Sequence, residues 1–267
     1  MNVFIAGLGV MGAAYAKGLS DAGHTVFGWD QSGAHIKEVR GYLHGQGLAH
    51  LKSCEVILIA LPPDATGPFV KTHQKDLSHC ALITDISSVK MRLTHDIESC
   101  LGPSNAYISH HPLTGYKTSG PKDHARVVFQ EKPVIIIEKA FDETARALLN
   151  QLLNDLSFQT PRIMSAEAHD AWVAYTSHLP HVLSAALLHH EKADQARLDA
   201  GNSFQAMRQY APVNVSLWAT IFQENQAFIA REIDHLIETL NAFKAALPDD
   251  HALKAWMQKA SLTPRRS

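Results

Sequence analysis

Short apolar runs and longer amphipathic stretches alternate through the first part of the chain, and only amphipathic stretches follow in the rest. Residues 3–6 are an apolar run that starts almost at the first residue and leads straight into a glycine cluster. Residues 11–22, rich in the small side chains Ala13, Ala14, Ala16 and Gly18, predict a helix that Gly23 stops. Residues 25–29 predict a second strand, followed by Asp30. Further buried strands are predicted at 56–61, 82–86, 106–109 and 134–138. Asp142 is placed to cap a helix whose Ala145, Leu148, Leu149, Leu152, Leu153 and Leu156 share one face. Strands alternating with helices predict an α/β fold built on a doubly wound parallel sheet.

After Pro161 the pattern predicts helices alone. Residues 167–190 read as one helical stretch, with a kink expected at Pro180. Residues 215–247 read as another, carrying Leu217, Ile221, Phe228, Ile229, Leu236, Ile237 and Leu240. At about 1.5 Å per residue such a helix approaches ~50 Å, longer than a small domain is wide. A helix of that length packs against more than its own domain, so an all-helical dimerisation half and a homodimer are expected.

Composition removes several classes of function. The formal net charge of −2 over 267 residues leaves no basic field for nucleic acid or an anionic membrane, and Arg265-Arg266 read as a solvated tail. Cys54, Cys80 and Cys100 are scattered with no C-x-x-C pair, which argues against a disulfide framework or a zinc site and fits a reducing cytosol. The opening apolar run is too short for a signal peptide or a membrane span. Most of the 17 histidines, His110 and His189-His190 among them, read as bland surface or core residues.

The glycine cluster is Gly7-Leu8-Gly9-Val10-Met11-Gly12. It follows a strand, opens a helix and precedes a second strand that ends in an acid, the context of a Rossmann dinucleotide fingerprint. Gly7 suits the tight turn, Gly9 the approach of a pyrophosphate, and Gly12 close helix–strand contact, with the diphosphate at the positive helix end. Asp30 is placed for the ribose hydroxyls of the adenosine. A carboxylate there repels a 2′-phosphate, so NAD is favoured over NADP even with Lys37 and Arg40 nearby. Val10, Met11 and Leu61, the last at the end of the 56–61 strand, complete the expected cofactor contacts. The expected organisation is a dinucleotide-binding domain at 1–162 and a helical substrate-binding and dimerisation domain at 163–267.

Three further segments carry candidate chemistry: Asp85-Ile86-Ser87-Ser88-Val89-Lys90, His110 to Gly120, and Ser177-His178-Leu179-Pro180-His181. With the glycine loop, the D-x-x-S-V-K element, the H-P-x-x-G-x-x-x-S-G loop and His169-Asp170 ahead of S-H-L-P-H, the chain resembles the prephenate/arogenate dehydrogenase family. The resemblance runs on through Arg208 and Trp218 to Phe222-Gln223-Glu224-Asn225. It implies an NAD-dependent oxidative decarboxylation in tyrosine biosynthesis. His111 is then the base for the substrate hydroxyl, Ser88 bonds the same hydroxyl, and His178 and Arg208 bind carboxylates as cations. An imidazole with an ordinary pKa near 6.5 suits proton transfer at neutral pH. Ser87, Thr114 and the pair Tyr116-Lys117 depart from the family pattern, which leaves the acid open between prephenate, arogenate and a related compound.

Two other readings stand beside this one. The β-hydroxyacid dehydrogenases share the G-L-G-x-M-G opening but carry a K-x-x-N-N helix that is absent here. A non-catalytic NAD-binding regulator needs only the glycine loop and Asp30, and would have no use for Ser88, His111 and His178 together. The His178/His181 spacing suits a metal, but no third ligand is apparent, and no metal is expected.

Overall fold

A computed structural model describes residues 1–102, 106–115, 120–138, 142–211 and 213–261. Tyr116, Lys117 and the Arg265-Arg266 tail lie outside the described residues. Strand β1 (Asn2–Ala6) leads through helix α1 (Val10–Asp21) to β2 (Thr25–Trp29), then α2 (Gly33–Val39) and the short β3 (Gly45–Gln46). The chain crosses back to β4 (Val56–Ile59) and continues through α3 (Pro63–Leu77) to β5 (Leu82–Asp85) and α4 (Met91–Leu101). These strands form one parallel sheet in the order β3-β2-β1-β4-β5. Its central strands β1, β4 and β5 are buried on both faces almost throughout, as a sheet covered by helices on both sides requires. The chain leaves β1 toward β2 on one side and returns to β4 on the other, so the carboxyl ends of β1 and β4 form a switch point open to a ligand.

The apolar stretch 106–109 does not form the strand that its composition predicts. It makes a single parallel bridge, Tyr107 to Ile83, with the N–H of Ile83 donating to Ala106 and that of Ile108 donating to Ile83. The Tyr107 hydroxyl instead donates to the Asp85 carboxylate at 2.7 Å. The next strand, β6 (His110–Pro112), runs antiparallel to β7 (Val134–Ile137). After α5 (Glu143–Asp155), β8 (Arg162–Met164) pairs parallel to β7. A strand therefore does follow Pro161, contrary to expectation: three residues, mostly exposed, carry no apolar periodicity to announce it. Asp142 caps α5 as predicted, accepting from the N–H groups of Thr144 and Ala145.

The helical remainder departs from expectation at two points. The stretch 167–190 is α6 (Ala166–Val173), a π-helical turn (Ala174–His178) and α7 (Leu179–Leu188). The Leu179 N–H bonds the Ala174 carbonyl, five residues back. Pro180 brings no N–H to continue the α-ladder, and the disruption falls in the turn before it rather than as a simple kink. Beyond α8 (Ala193–Asp199) and α9 (Asn202–Arg208), the stretch 215–247 is two helices, α10 (Val215–Glu224) and α11 (Gln226–Ala246), followed by α12 (Asp250–Ser261). The break is at Asn225, buried with φ −110° and ψ 20°. Its amide bonds inward, to groups named below, and that satisfies the side chain where the helix gives way. Ile237, Leu240 and Leu247 are about half exposed on α11 and just past it. Among the described residues no helix is long and apolar enough to cross a membrane.

Candidate active site

At the switch point lies a cleft of about 1910 Å³. That is larger than the ~300–1,000 Å³ of a pocket for one small ligand, and it has room for a dinucleotide and a second molecule. The glycine loop forms one wall. Gly7 holds φ at +92°, and a Cβ there would meet the Ala60 carbonyl oxygen at 2.7 Å. A Cβ on Gly12 would lie 1.9 Å from the Gly7 carbonyl oxygen, so helix α1 can sit against the loop only without one. At Gly9, the N-cap of α1, a Cβ would meet nothing within 4 Å, and this residue lines the cleft. No side chain caps α1, which leaves its first N–H groups for an anionic ligand. Val10, Met11 and Leu61 line the cleft, while Gly12 is buried behind it.

Asp30 also lines the cleft and does structural work within the loop. One carboxylate oxygen accepts from the Leu8 N–H at 2.7 Å and the other from the Ser32 N–H at 2.7 Å. His35 Nδ1 is 3.3 Å from the same carboxylate. Each oxygen keeps further acceptor capacity, so a ribose hydroxyl can still be bound. The residues present fit a dinucleotide: a bare loop, an uncapped helix end and an acid at the second strand's end.

The far end of the cleft holds the three residues expected to carry the chemistry. Ser88 and His111 line it half-buried, and His178 lines it almost fully buried. His111 Nδ1 lies 2.9 Å from His169 Nε2, and His169 Nδ1 lies 2.7 Å from Asp170 Oδ1. Asp170 also accepts from the N–H groups of Lys90, at 2.9 Å, and Met91, at 2.8 Å, where α4 begins. A carboxylate only accepts, so His169 Nδ1 carries the proton and His169 Nε2 accepts from His111. His111 Nε2 is then the free lone pair. Burial lowers the His111 pKa well below 6.5, and the neighbouring His169 and Lys90 charges add to that.

His178 Nδ1 faces the Asn225 amide nitrogen at 3.1 Å, and the same nitrogen donates to the Asp170 carbonyl at 2.9 Å. An amide N–H can only donate, so His178 Nδ1 accepts and Nε2 carries the proton. Burial pushes the His178 pKa down to about 4. His178 is therefore set as a neutral N–H donor in the substrate-free protein, where the sequence leads to the expectation of a cation. Trp218 and Phe222 pack edge-on against its ring.

Arg208 is not brought into this group. It ends α9, its Nε donates to Gln205, and the cleft wall there consists of Gln209 and Tyr210 instead. His181 Nδ1 donates to the Tyr210 carbonyl at 2.6 Å while its ring packs on Trp218. Sequence reasoning noted His169-Asp170 and Asn225 without giving them roles. An imidazole next to a carboxylate was the available signal for the first pair, but its partner stands 58 residues away. His110 is a core residue, as one of the bland readings allows: it bonds Tyr15 at 2.8 Å and Thr84 at 2.7 Å, and burial pushes its pKa down to about 3.

Beneath the site lies a buried ion pair, Lys90 Nζ to Asp85 Oδ1 at 2.9 Å, with the ammonium also donating to the His110 carbonyl at 2.8 Å. Burial raises the Asp85 carboxyl pKa, but the Lys90 charge and the hydrogen bonds around it outweigh this and hold it below the usual range. Burial pulls the Lys90 ammonium pKa down against the opposing pull of Asp85. Asp85 further accepts from the Ser87 N–H at 2.8 Å and so shapes the turn that carries Ser88.

Comparison with known proteins agrees with this architecture. The chain is 27% identical over 261 residues to the cyclohexadienyl dehydrogenase of Zymomonas mobilis, covering 92% of this chain and 88% of that protein. A crystal structure of prephenate dehydrogenase from A. aeolicus, in complex with hydroxyphenyl propionate and NAD+, superposes with a TM-score of 0.86 at 23% identity, covering 98% and 96% of the two chains. Synechocystis arogenate dehydrogenase superposes with a TM-score of 0.82 at 21% identity, covering 98% of each. Residues 15–159 match the family described as prephenate dehydrogenase, nucleotide-binding domain, and residues 165–259 match prephenate dehydrogenase, dimerization domain. The protein is a member of the prephenate dehydrogenase family.

Proposed function

We propose that this protein catalyses the NAD-dependent oxidative decarboxylation of a cyclohexadienyl acid, prephenate or arogenate, to hydroxyphenylpyruvate or tyrosine. The observation that carries this reading is the His111–His169–Asp170 chain, which leaves His111 Nε2 unprotonated in a cleft that also holds a dinucleotide cradle. NAD supplies the hydride acceptor for the ring carbon that bears the hydroxyl. His111 Nε2 takes the hydroxyl proton as that carbon becomes a carbonyl, and Ser88 orients the hydroxyl. The bond to the ring carboxylate then breaks and carbon dioxide leaves. The bonding pair makes the ring aromatic as the carbonyl pair moves onto its oxygen, which takes a proton back from His111 Nε2 to become the phenol hydroxyl. Proton uptake makes His111 cationic. Its Nδ1–H remains bonded to His169, whose own proton is held by the Asp170 carboxylate, so the charge is spread along the chain. His178 offers a neutral Nε2–H to a substrate oxygen.

The match to a dimerization domain and the exposed apolar residues of α11 support a homodimer through the C-terminal helices. The division into a nucleotide domain and a helical domain near residues 162–163 is part of the same reading. Three free thiols suit a reducing compartment such as the cytosol.

The test is NADH formation with prephenate, arogenate and 3-hydroxyisobutyrate side by side. Turnover of either cyclohexadienyl acid is expected. Turnover of 3-hydroxyisobutyrate alone moves the protein to the β-hydroxyacid dehydrogenases, and NAD binding without turnover of any of the three makes it a regulator.

A further inference from the structure

Strands β6, β7 and β8 place His111, Ile135 and Arg162 in one row, because His111 is opposite Ile135 and Ile135 is opposite Arg162. Residues opposite one another in a ladder project from the same face, and two strand spacings put the backbones of His111 and Arg162 about 10 Å apart. All three residues line the cleft. Helix α6 runs over this row and touches both of its ends. His169 bonds His111, while Trp172, one helical turn further on, lies under Arg162 with the guanidinium 5.0 Å from its ring centroid.

Arg162 is exposed, and none of the ion pairs among the described residues includes it. Of the described residues lining the cleft, it has the only side chain of fixed positive charge. A guanidinium placed over an indole face makes that contact without using its N–H donors, which can then bind a carboxylate through two parallel hydrogen bonds. The base thus stands at one end of the row and, at the other, a cation with no ion-pair partner among the described residues.

We propose that Arg162, supported by Trp172, binds the side-chain carboxylate of the substrate, the one that survives the reaction. This rests on the reading above that the substrate is a cyclohexadienyl acid. Such an acid has two carboxylates, and the ring carboxylate must leave as neutral carbon dioxide. A cation gripping the leaving group would stabilise the ground state against the transition state, whereas one gripping the side chain binds both alike and costs the chemical step nothing. Arg162 therefore sets affinity and register, and His111 acts on the hydroxyl at the opposite end of the ring.

Three variants, Arg162→Met, Arg162→Lys and Trp172→Leu, are compared with wild type for kcat, KM and inhibition by two ring compounds. Hydroxyphenylpropionate carries the side-chain carboxylate, and para-ethylphenol lacks it. Arg162→Met is expected to raise KM and the hydroxyphenylpropionate Ki about tenfold to hundredfold, the range of a charged hydrogen bond. The kcat and the para-ethylphenol Ki stay unchanged. Arg162→Lys and Trp172→Leu fall between wild type and Arg162→Met. An unchanged KM in Arg162→Met, or equal weakening of both inhibitors, overturns the proposal. If wild type turns over no cyclohexadienyl acid, the functional reading fails. Calorimetric binding of the two compounds to the NAD-loaded protein and its Arg162→Met variant then still decides whether Arg162 selects the carboxylate.

Discussion

His111 donates its Nδ1–H to His169 Nε2 across 2.9 Å, and this one contact fixes which nitrogen of His111 faces the substrate. It joins β6 of the nucleotide-binding half to α6 of the helical half, so the base is correctly set only when the two halves are docked. With Nδ1 committed, Nε2 is the base. His111→Asn keeps a donor of similar reach to His169 and removes the base. It is expected to lower kcat by about 10²–10⁴-fold with KM little changed. Unchanged turnover in steady-state NADH assays would remove His111 from proton transfer.

His169 acts through His111 as a positioning residue, and its two substitutions are expected to separate. His169→Gln offers an amide oxygen near the position of Nε2 and keeps the acceptor, whereas His169→Leu removes it. The leucine variant should lose on the order of 10²-fold in kcat, the cost of a base in the wrong tautomer or orientation, and the glutamine variant much less. A merely structural role predicts equal losses. The acid limb of kcat/KM in wild type should lie below pH 6.5, because burial holds His111 neutral further into acid than a free imidazole. A limb above 6.5 would contradict the environment described for His111.

The Lys90–Asp85 pair is a liability that the fold keeps satisfied. Removing the ammonium leaves a buried carboxylate with neutral partners, the Tyr107 hydroxyl and the Ser87 N–H among them, and it frees the His110 carbonyl. Lys90→Met is expected to destabilise the protein by about 3–5 kcal/mol in urea unfolding. The double variant with Asp85→Asn should recover part of that loss, because the uncompensated charge is gone. A cost below ~1 kcal/mol for the single variant would show that Asp85 finds another partner.

The parts of the site that local chemistry dictates were legible in the chain. Gly7 and Gly12 are demanded by a turn and a contact within six residues of each other, and Asp30 follows directly from the end of β2. The capping role of Asp142 is local in the same way. Three features were not legible, and each depends on distant packing. The apolar periodicity of 215–247 runs unbroken through Asn225, which leaves the helix only because Asp170 and His178 are there to receive its amide. The π-helical turn before Pro180 takes up a helical irregularity that the proline alone announces only as a kink. Arg162 gains meaning from a row across three strands whose members are 24 and 27 residues apart in the chain, and β8 itself has no periodic signature. Burial, invisible in a sequence, favours neutral His178, where the sequence leads to the expectation of a cation.

That burial of histidines makes stability depend on acid in a stated direction. His178 and His110 protonate in the folded protein only near about 4 and about 3, and burial lowers His111 and His169 too. In the unfolded chain all four take up protons near 6.5. Below that pH the unfolded state binds protons that the folded state refuses, so unfolding becomes easier as the pH falls. Each such imidazole steepens the loss by on the order of 1 kcal/mol per pH unit until its folded pKa is reached. Urea midpoints measured between about pH 6.5 and 5.5 should therefore fall steeply at constant m-value, in a window where carboxylates have scarcely begun to titrate. A flat profile there would mean that these histidines protonate without unfolding, and that the site opens to water more readily than its packing implies.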